Sequence, residues 1–203
     1  HANMKGGNNP NAKAIRNKST GEIFPSAREA SEKYGVTPDI GLFAKALAGG
    51  YPMSMICGKK EIMECGVKVS GCFNGNPVAS AAGIVVADEL SKPGVYENFQ
   101  KLGDMLCDGF KELCKKYGVK GYAEAHGAIA LILFGKEDNF EDIRDYIENG
   151  DVDFYNQFFA KAKEYGVRLT YRRGRIFLST KHTADDIKLT LEAFDKALKD
   201  ITI

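Results

Sequence analysis

No apolar run in the 203 residues approaches the roughly 18 that a membrane span requires, and no charged, apolar and small-residue leader is recognisable. The expected address is therefore the cytoplasm, with no membrane partner. An excess of one charge is missing too: 28 Lys+Arg against 27 Asp+Glu leave a formal charge of +1, which excludes an overall attraction to nucleic acid or anionic lipid. Metal-ligand spacing is also absent. The five cysteines, Cys57, Cys65, Cys72, Cys107 and Cys114, are odd in number and form no CxxC or Cys/His pattern. They read as reduced thiols, with no metal. Cys107 and Cys114 lie seven apart in a helical pattern, which puts them on one face, in a core. What remains is 44% hydrophobic and 27% charged, an ordinary balance for a globular chain able to bury a core.

Three zones follow one another without internal repeats. Residues 1–34 form a basic N-terminal segment: HANMKGGNNPNA is polar and rich in Gly and Asn, and no acid precedes Glu22. This start looks like part of an open reading frame or a tail. PSAREASEKYGV then predicts a short helix opened by Pro25 or Ser26 and stopped at Gly35. Residues 35–92 alternate short apolar runs with Gly-rich turns, as strands of an α/β sheet do. PDIGLFAK is an expected strand ending at Lys45, SMICG a second, and NPVASAAGIVVADELS a helix opened by Asn76 and Pro77. Residues 93–203 predict a small α+β domain. A long helix over 95–117 has Phe99, Leu102, Leu106, Phe110 and Leu113 on one stripe. AIALILFG follows as a strand, DFYNQFFAKAKEYG as a helix, VRLTY and RIFLST as strands, and a last helix opens on a Thr183/Asp186 capping box.

Within FAKALAGGYP, Lys45 stands among Phe43, Ala44, Ala46 and Leu47, ahead of a Gly-Gly pair. Two readings are open. Burial of the stem would disfavour the ammonium and leave a nucleophilic amine suited to Schiff-base chemistry. Alternatively, the stem covers apolar surface while the head reaches water.

GVTPDIGLFAKALAGGYPMSMICGKKEIM and CFNGNPVASAAGIVVADEL together resemble the class III pyridoxal-phosphate aminotransferases, and particularly their glutamate-1-semialdehyde aminomutase-like branch. GRIFLSTKHTADDIKLTLEA is similar to the last strand and helix of that branch. The resemblance implies an α/β fold: the C-terminal part of a fold type I transferase, with part of the large domain over 35–92 and the small C-terminal domain over 93–203. It implies pyridoxal 5'-phosphate as cofactor and Lys45 as the Schiff-base lysine, which then carries a proton between carbons. Gly49, Gly50 and Pro52 would shape the adjoining turn. SGCFNGNP corresponds to a loop that places a threonine on the cofactor phosphate of a neighbouring subunit. Cys72 occupies that position here, a poorer donor, with Ser70 or a backbone amide as substitute. The implied partners are a small-molecule amino donor and acceptor and, in an intact enzyme, a second copy in a homodimer. Of Arg168, Arg172, Arg173 and Arg175, Arg175 is the one the resemblance offers for a substrate carboxylate; solvated charges at a strand edge are the other account. His126 and His182 read as structural residues. Asp185 and Asp186 suit the first turn of their helix.

The resemblance also implies an aspartate upstream, paired with the pyridinium nitrogen. A count of 29 residues back from Lys45 reaches Arg16, whose charge would oppose protonation of that nitrogen. The phosphate-binding turn and ring-stacking aromatic of the family have no counterpart either. Instead, residues 5–36 resemble the DNA-binding tail of a homing endonuclease. That resemblance implies DNA contact through Lys5, Lys13, Arg16 and Lys18 on phosphates and a helix over 26–34 in a groove. A solvated basic tail with a surface helix is the alternative. The function expected is thus an aminotransferase or aminomutase lacking half of its site, or a DNA-binding module joined to an inactive remnant.

Overall fold

The computed structural model describes residues 15–16, 23–24, 39–66, 71–72, 74–170 and 174–202. The chain divides into two compact units, His1–Pro93 and Gly94–Ile203.

In the first unit, β1 (Ile15–Arg16) pairs antiparallel with β2 (Ile23–Phe24). The helix expected over 26–34 lies outside the described residues. A second antiparallel pair joins β3 (Ile40–Phe43) to β4 (Met55–Gly58), in a register that sets Leu42 opposite Ile56 and Phe43 opposite Met55. The strand expected to end at Lys45 stops two residues earlier, because a 3-10 turn, Lys45–Ala48, takes over there. A short helix α1 (Lys60–Met63) follows β4. Helix α2 (Pro77–Leu90) opens as expected: the Asn76 side chain accepts from the N–H of Val78 at 3.0 Å and of Ala79 at 3.1 Å, and Pro77 fills the first turn, where no donor is missed. It packs on the 3-10 turn, whose Ala48 is fully buried.

The second unit is a three-stranded antiparallel sheet covered by helices. Helix α3 (Val95–Tyr117) fills the predicted span and buries Phe99, Leu102, Leu106, Phe110 and Cys114 along its apolar stripe. It ends on Gly118 at φ 66, the left-handed conformation in which glycine carries no Cβ penalty. Strands β5 (Gly121–His126), β6 (Ile129–Phe134) and β7 (Arg175–Phe177) lie in the order β5-β6-β7. Helices α4 (Ile143–Asn149), α5 (Val152–Glu164) and α6 (Ala184–Thr202) complete it. Phe110 of α3, Phe134 of β6, Phe158 of α5 and Phe194 of α6 meet in one ring cluster. Centroids are 5.3 Å apart for Phe110–Phe134, 5.2 Å for Phe134–Phe158 and 4.9 Å for Phe158–Phe194, in tilted or edge-to-face geometry. Lys116 and Tyr117 reach Asp195 at 2.5 and 2.9 Å and tie α3 to α6.

Two differences from the sequence reading have local causes. VRLTY does not form a strand over its described residues: the N–H of Val167 donates to the carbonyl of Ala162, and Tyr155 Oη donates to that of Thr170 at 2.8 Å. α5 takes up these two groups, and of the two strands expected here β7 alone pairs with β6. β5, GYAEAH, was missed because alanine and glycine carry little strand signal. They are there for packing: the backbone of Gly121 faces Cys114 and Phe110, and Gly103 of α3 sits where an added Cβ would come 2.7 Å from Ala125 Cβ.

Candidate active site

The connection between β3 and β4 holds the residues singled out around Lys45. Among the described residues Lys45 is the single non-glycine with positive φ, at 64°. A lysine in the left-handed region is uncommon, and holding it there costs about 1–3 kcal/mol, which surrounding contacts must offset. Those contacts are visible on one side. Gly49, at φ 59, donates its N–H to the carbonyl of Ala46 at 3.1 Å, and Tyr51 to that of Ala48 at 3.1 Å. Helix α2 backs the turn through two small-gap contacts. A Cβ on Gly83 would come 2.9 Å from Met53 Sδ, and one on Gly49 would come 3.4 Å from Val86 Cγ2. Gly83 and Val86 are positioning residues that the sequence reading did not single out. The signal was a glycine inside a helix, which costs about 1 kcal/mol against alanine and usually marks close packing.

On its outer side the turn is open. Lys45 is exposed, as are Ala44, Ala46, Gly49 and Gly50, and nothing lies within 4 Å of where a Gly50 Cβ would stand. Of the two readings of Lys45, the desolvated amine is not what this chain presents; its surroundings place the lysine in solvent. Cys72 is an exposed free thiol within the turn closed by Asn74 N–H on the Gly71 carbonyl at 3.1 Å. Ser70 lies outside the described residues. Asp39, the acid at the start of β3, is held by Lys59 at 2.6 Å.

Arg175 belongs to the other unit. It sits exposed on β7, its carbonyl accepts from Thr170 Oγ1 at 2.7 Å, and with Arg168 and His182 it lines a cavity of about 260 Å³ floored by Leu106 and Ile187. Arg172 and Arg173 are outside the described residues. His182 braces the loop before α6: its Nδ1 accepts from the N–H of Ser179 at 2.9 Å. The capping box is formed, with Thr183 N–H donating to Asp186 Oδ2 at 2.7 Å and Asp186 N–H to Thr183 Oγ1 at 3.3 Å. The Thr183 hydroxyl, which donates to Asp186 Oδ2 at 2.8 Å, and the Thr183 N–H hold the Asp186 carboxyl below its ordinary range. His126 ends β5; it is exposed, 3.4 Å from Glu124. The thiols divide between the units. Cys57, Cys65 and Cys72 are exposed, whereas burial pushes Cys107 and Cys114 up to about 12. Among the described residues no cluster could hold a metal ion, and no helix is long and apolar enough to cross a membrane.

Residues 18–198 match the family described as class-III aminotransferases. A glutamate-1-semialdehyde 2,1-aminomutase of Desulfatibacillum aliphaticivorans is 34% identical over 180 residues, covering 85% of this chain and 41% of the relative. One from Brevibacillus brevis is 33% identical over 178 residues, covering 84% and 41%. Among solved structures, an omega-transaminase from Sphaerobacter thermophilus superposes with a TM-score of 0.72 at 24% identity, over 84% of this chain and 40% of that one. A glutamate-1-semialdehyde aminomutase from Pseudomonas aeruginosa PAO1 gives 0.71 at 18%, over 84% and 41%. The α/β fold is theirs over the part this chain spans, about 41% of the length of the curated relatives named. The family match begins at residue 18, inside the 5–36 run that resembles an endonuclease tail, and none of these comparisons supports that tail.

Proposed function

The chain belongs to the class-III aminotransferase family, and from that premise we propose that it carries the lysine and the small domain of a pyridoxal-phosphate aminotransferase or aminomutase. The observation that carries this reading is the left-handed backbone of Lys45, held on a glycine turn and presented on its open side. The backbone that carries the amine is fixed before any ligand arrives. The residues fit the cofactor in part: Lys45 supplies the amine that bonds its aldehyde carbon, Gly49 and Gly50 leave room for a ring or phosphate, and Cys72, with Ser70, lies on the loop assigned to the phosphate. Bound pyridoxal phosphate would supply the electron sink. Lys45 Nζ would be the base that takes the proton from the substrate carbon bearing the amino group, and the acid that gives a proton back. The substrates are a small-molecule amino donor and acceptor, and Arg175 is the residue the resemblance offers for a substrate carboxylate. A homodimer is the assembly in which the Cys72 loop would serve its neighbour.

Position 16, where the resemblance implies a carboxylate for the ring nitrogen, is an arginine. The chain by itself is therefore expected to bond the cofactor weakly and to turn over slowly or not at all. The test is borohydride trapping with pyridoxal phosphate, followed by peptide mass mapping. A cofactor mass on the Lys45 peptide, absent in Lys45→Ala, is expected. Labelling spread evenly over surface lysines would overturn the assignment, and brisk turnover of an amino donor by the isolated chain would overturn the statement about its activity.

A further inference from the structure

The cavity of about 260 Å³ beside β7 is built from α3, the stretch 167–170, β7 with Leu178, and the first turns of α6, all within the second unit. Its bottom is apolar: Leu106, Leu169, Leu178 and Ile187 line it and are buried. Its mouth is cationic, because Arg168 and Arg175 line it and are exposed, with His182 beside them. Among the described residues no Asp or Glu lines the cavity, and neither guanidinium has a hydrogen-bond or ion-pair partner. The hydroxyls are already committed. Thr170 Oγ1 donates to the carbonyl of Arg175 at 2.7 Å, and Thr190 Oγ1 to that of Asp186 at 2.8 Å. His182 Nδ1 accepts from the N–H of Ser179, which leaves the ring proton on Nε2. The donors with nothing to hold are thus the two guanidiniums and that imidazole N–H.

We propose that this cavity binds a small carboxylate with an apolar tail, in a site that is complete within the second unit. Arginine presents paired N–H groups that match the two oxygens of a carboxylate, and an apolar hollow with a few convergent polar groups is the usual form of a small-molecule site. The volume admits a molecule of roughly nine non-hydrogen atoms at the ~30 Å³ that a water takes in the liquid, which is the size of a six-carbon acid. A bare inorganic anion would satisfy the mouth and leave the buried leucines and Ile187 against water, so the tail belongs to the ligand. The site asks nothing of Lys45 or of a cofactor. It therefore stands apart from the family reading, which offers Arg175 alone to a substrate carboxylate, and it adds Arg168 and the apolar bottom to what Arg175 would hold.

The test titrates the full chain, labelled with nitrogen-15 and without pyridoxal phosphate, with acetate, butanoate, hexanoate, hexan-1-ol and inorganic phosphate, following amide resonances. Hexanoate should shift the amides of Leu169, Leu178 and Ile187, with affinity rising about fourfold for each added methylene. Arg168→Gln and Arg175→Gln should each weaken hexanoate on the order of tenfold, and the spectrum of each variant checks that it is folded. Lys45→Ala should bind hexanoate as the parent chain does. Absence of any shift, shifts confined to other residues, affinity indifferent to chain length, phosphate or hexan-1-ol binding as tightly as hexanoate, or binding unchanged in both arginine variants would each overturn the proposal, and so would its loss in Lys45→Ala. Because the titration uses no cofactor and the trapping of Lys45 uses no carboxylate, failure of this site and failure of the lysine chemistry are read separately.

Discussion

Phe194 and Leu42 are both large apolar side chains on regular elements, yet the first is fully buried and the second 76% exposed. The contrast extends to their units. Among the described residues, the buried apolar side chains of the first unit are Ala48 and Ala79, while Gly94–Ile203 buries rings from four elements in one cluster. The second unit satisfies itself, with three strands, covering helices and caps at their ends. The first consists of a hairpin, a strained turn and an all-round apolar helix that fit one another but leave their outer sides uncovered. A unit can thus hold the backbone geometry of a turn while leaving the lysine on it in water.

The largest effect that would break this contrast concerns the ring cluster. Phe110→Ala should destabilise the second unit by about 3–5 kcal/mol, through lost transfer energy and the cavity left behind, whereas Leu42→Ala should change stability by less than about 0.5 kcal/mol. Urea unfolding followed by circular dichroism measures both; equal losses would erase the distinction between the units. Next come the thiols. Iodoacetamide should label Cys57, Cys65 and Cys72 in the folded chain, with Cys107 and Cys114 slower by on the order of a thousandfold, because they need opening of the core and their thiolate forms are suppressed. Mass mapping over time gives the ratio.

A smaller effect belongs to the caps. Asn76→Ala should cost about 1 kcal/mol, seen as roughly fivefold faster amide exchange across α2. Thr183→Ala should cost α6 a similar amount, yet with little change in exchange at Phe194, which the ring cluster holds. The smallest effect is in acid. Lys136 Nζ donates to Asp145 at 2.7 Å, and with the N–H of Glu141 and the amide of Asn149 it brings the Asp145 carboxyl down to about 2. A folded-state pKa below the unfolded one means stability that is present above the usual carboxylate value of about 3.9 and is lost as pH falls toward about 2. The urea midpoint of the second unit should decline across that window, and Lys136→Met should flatten the decline.

Helices were legible wherever an apolar stripe and a cap coincided. The Phe99 to Leu113 stripe set α3, and Asn76-Pro77 and Thr183/Asp186 set the starts of α2 and α6. β5 was not legible because its inward positions are Gly121 and Ala123, small for the sake of Cys114 and Phe110. Nor was the fate of VRLTY, whose strand-like composition loses to the hydrogen bonds offered by Ala162 and Tyr155. At the candidate site, Lys45 and its glycines stood out through their resemblance to a family motif. The backing by Gly83 and Met53 did not, because contacts between residues thirty positions apart leave no pattern along the chain.

The family and the capped helices follow from the order of residues alone, because motif, stripe and cap are all local and act within a few positions. The left-handed φ of Lys45, the exposure of its amine and the uncovered hairpin were decided only in three dimensions. Burial depends on which surfaces meet, and this chain holds one unit whose surfaces meet each other and one whose surfaces do not.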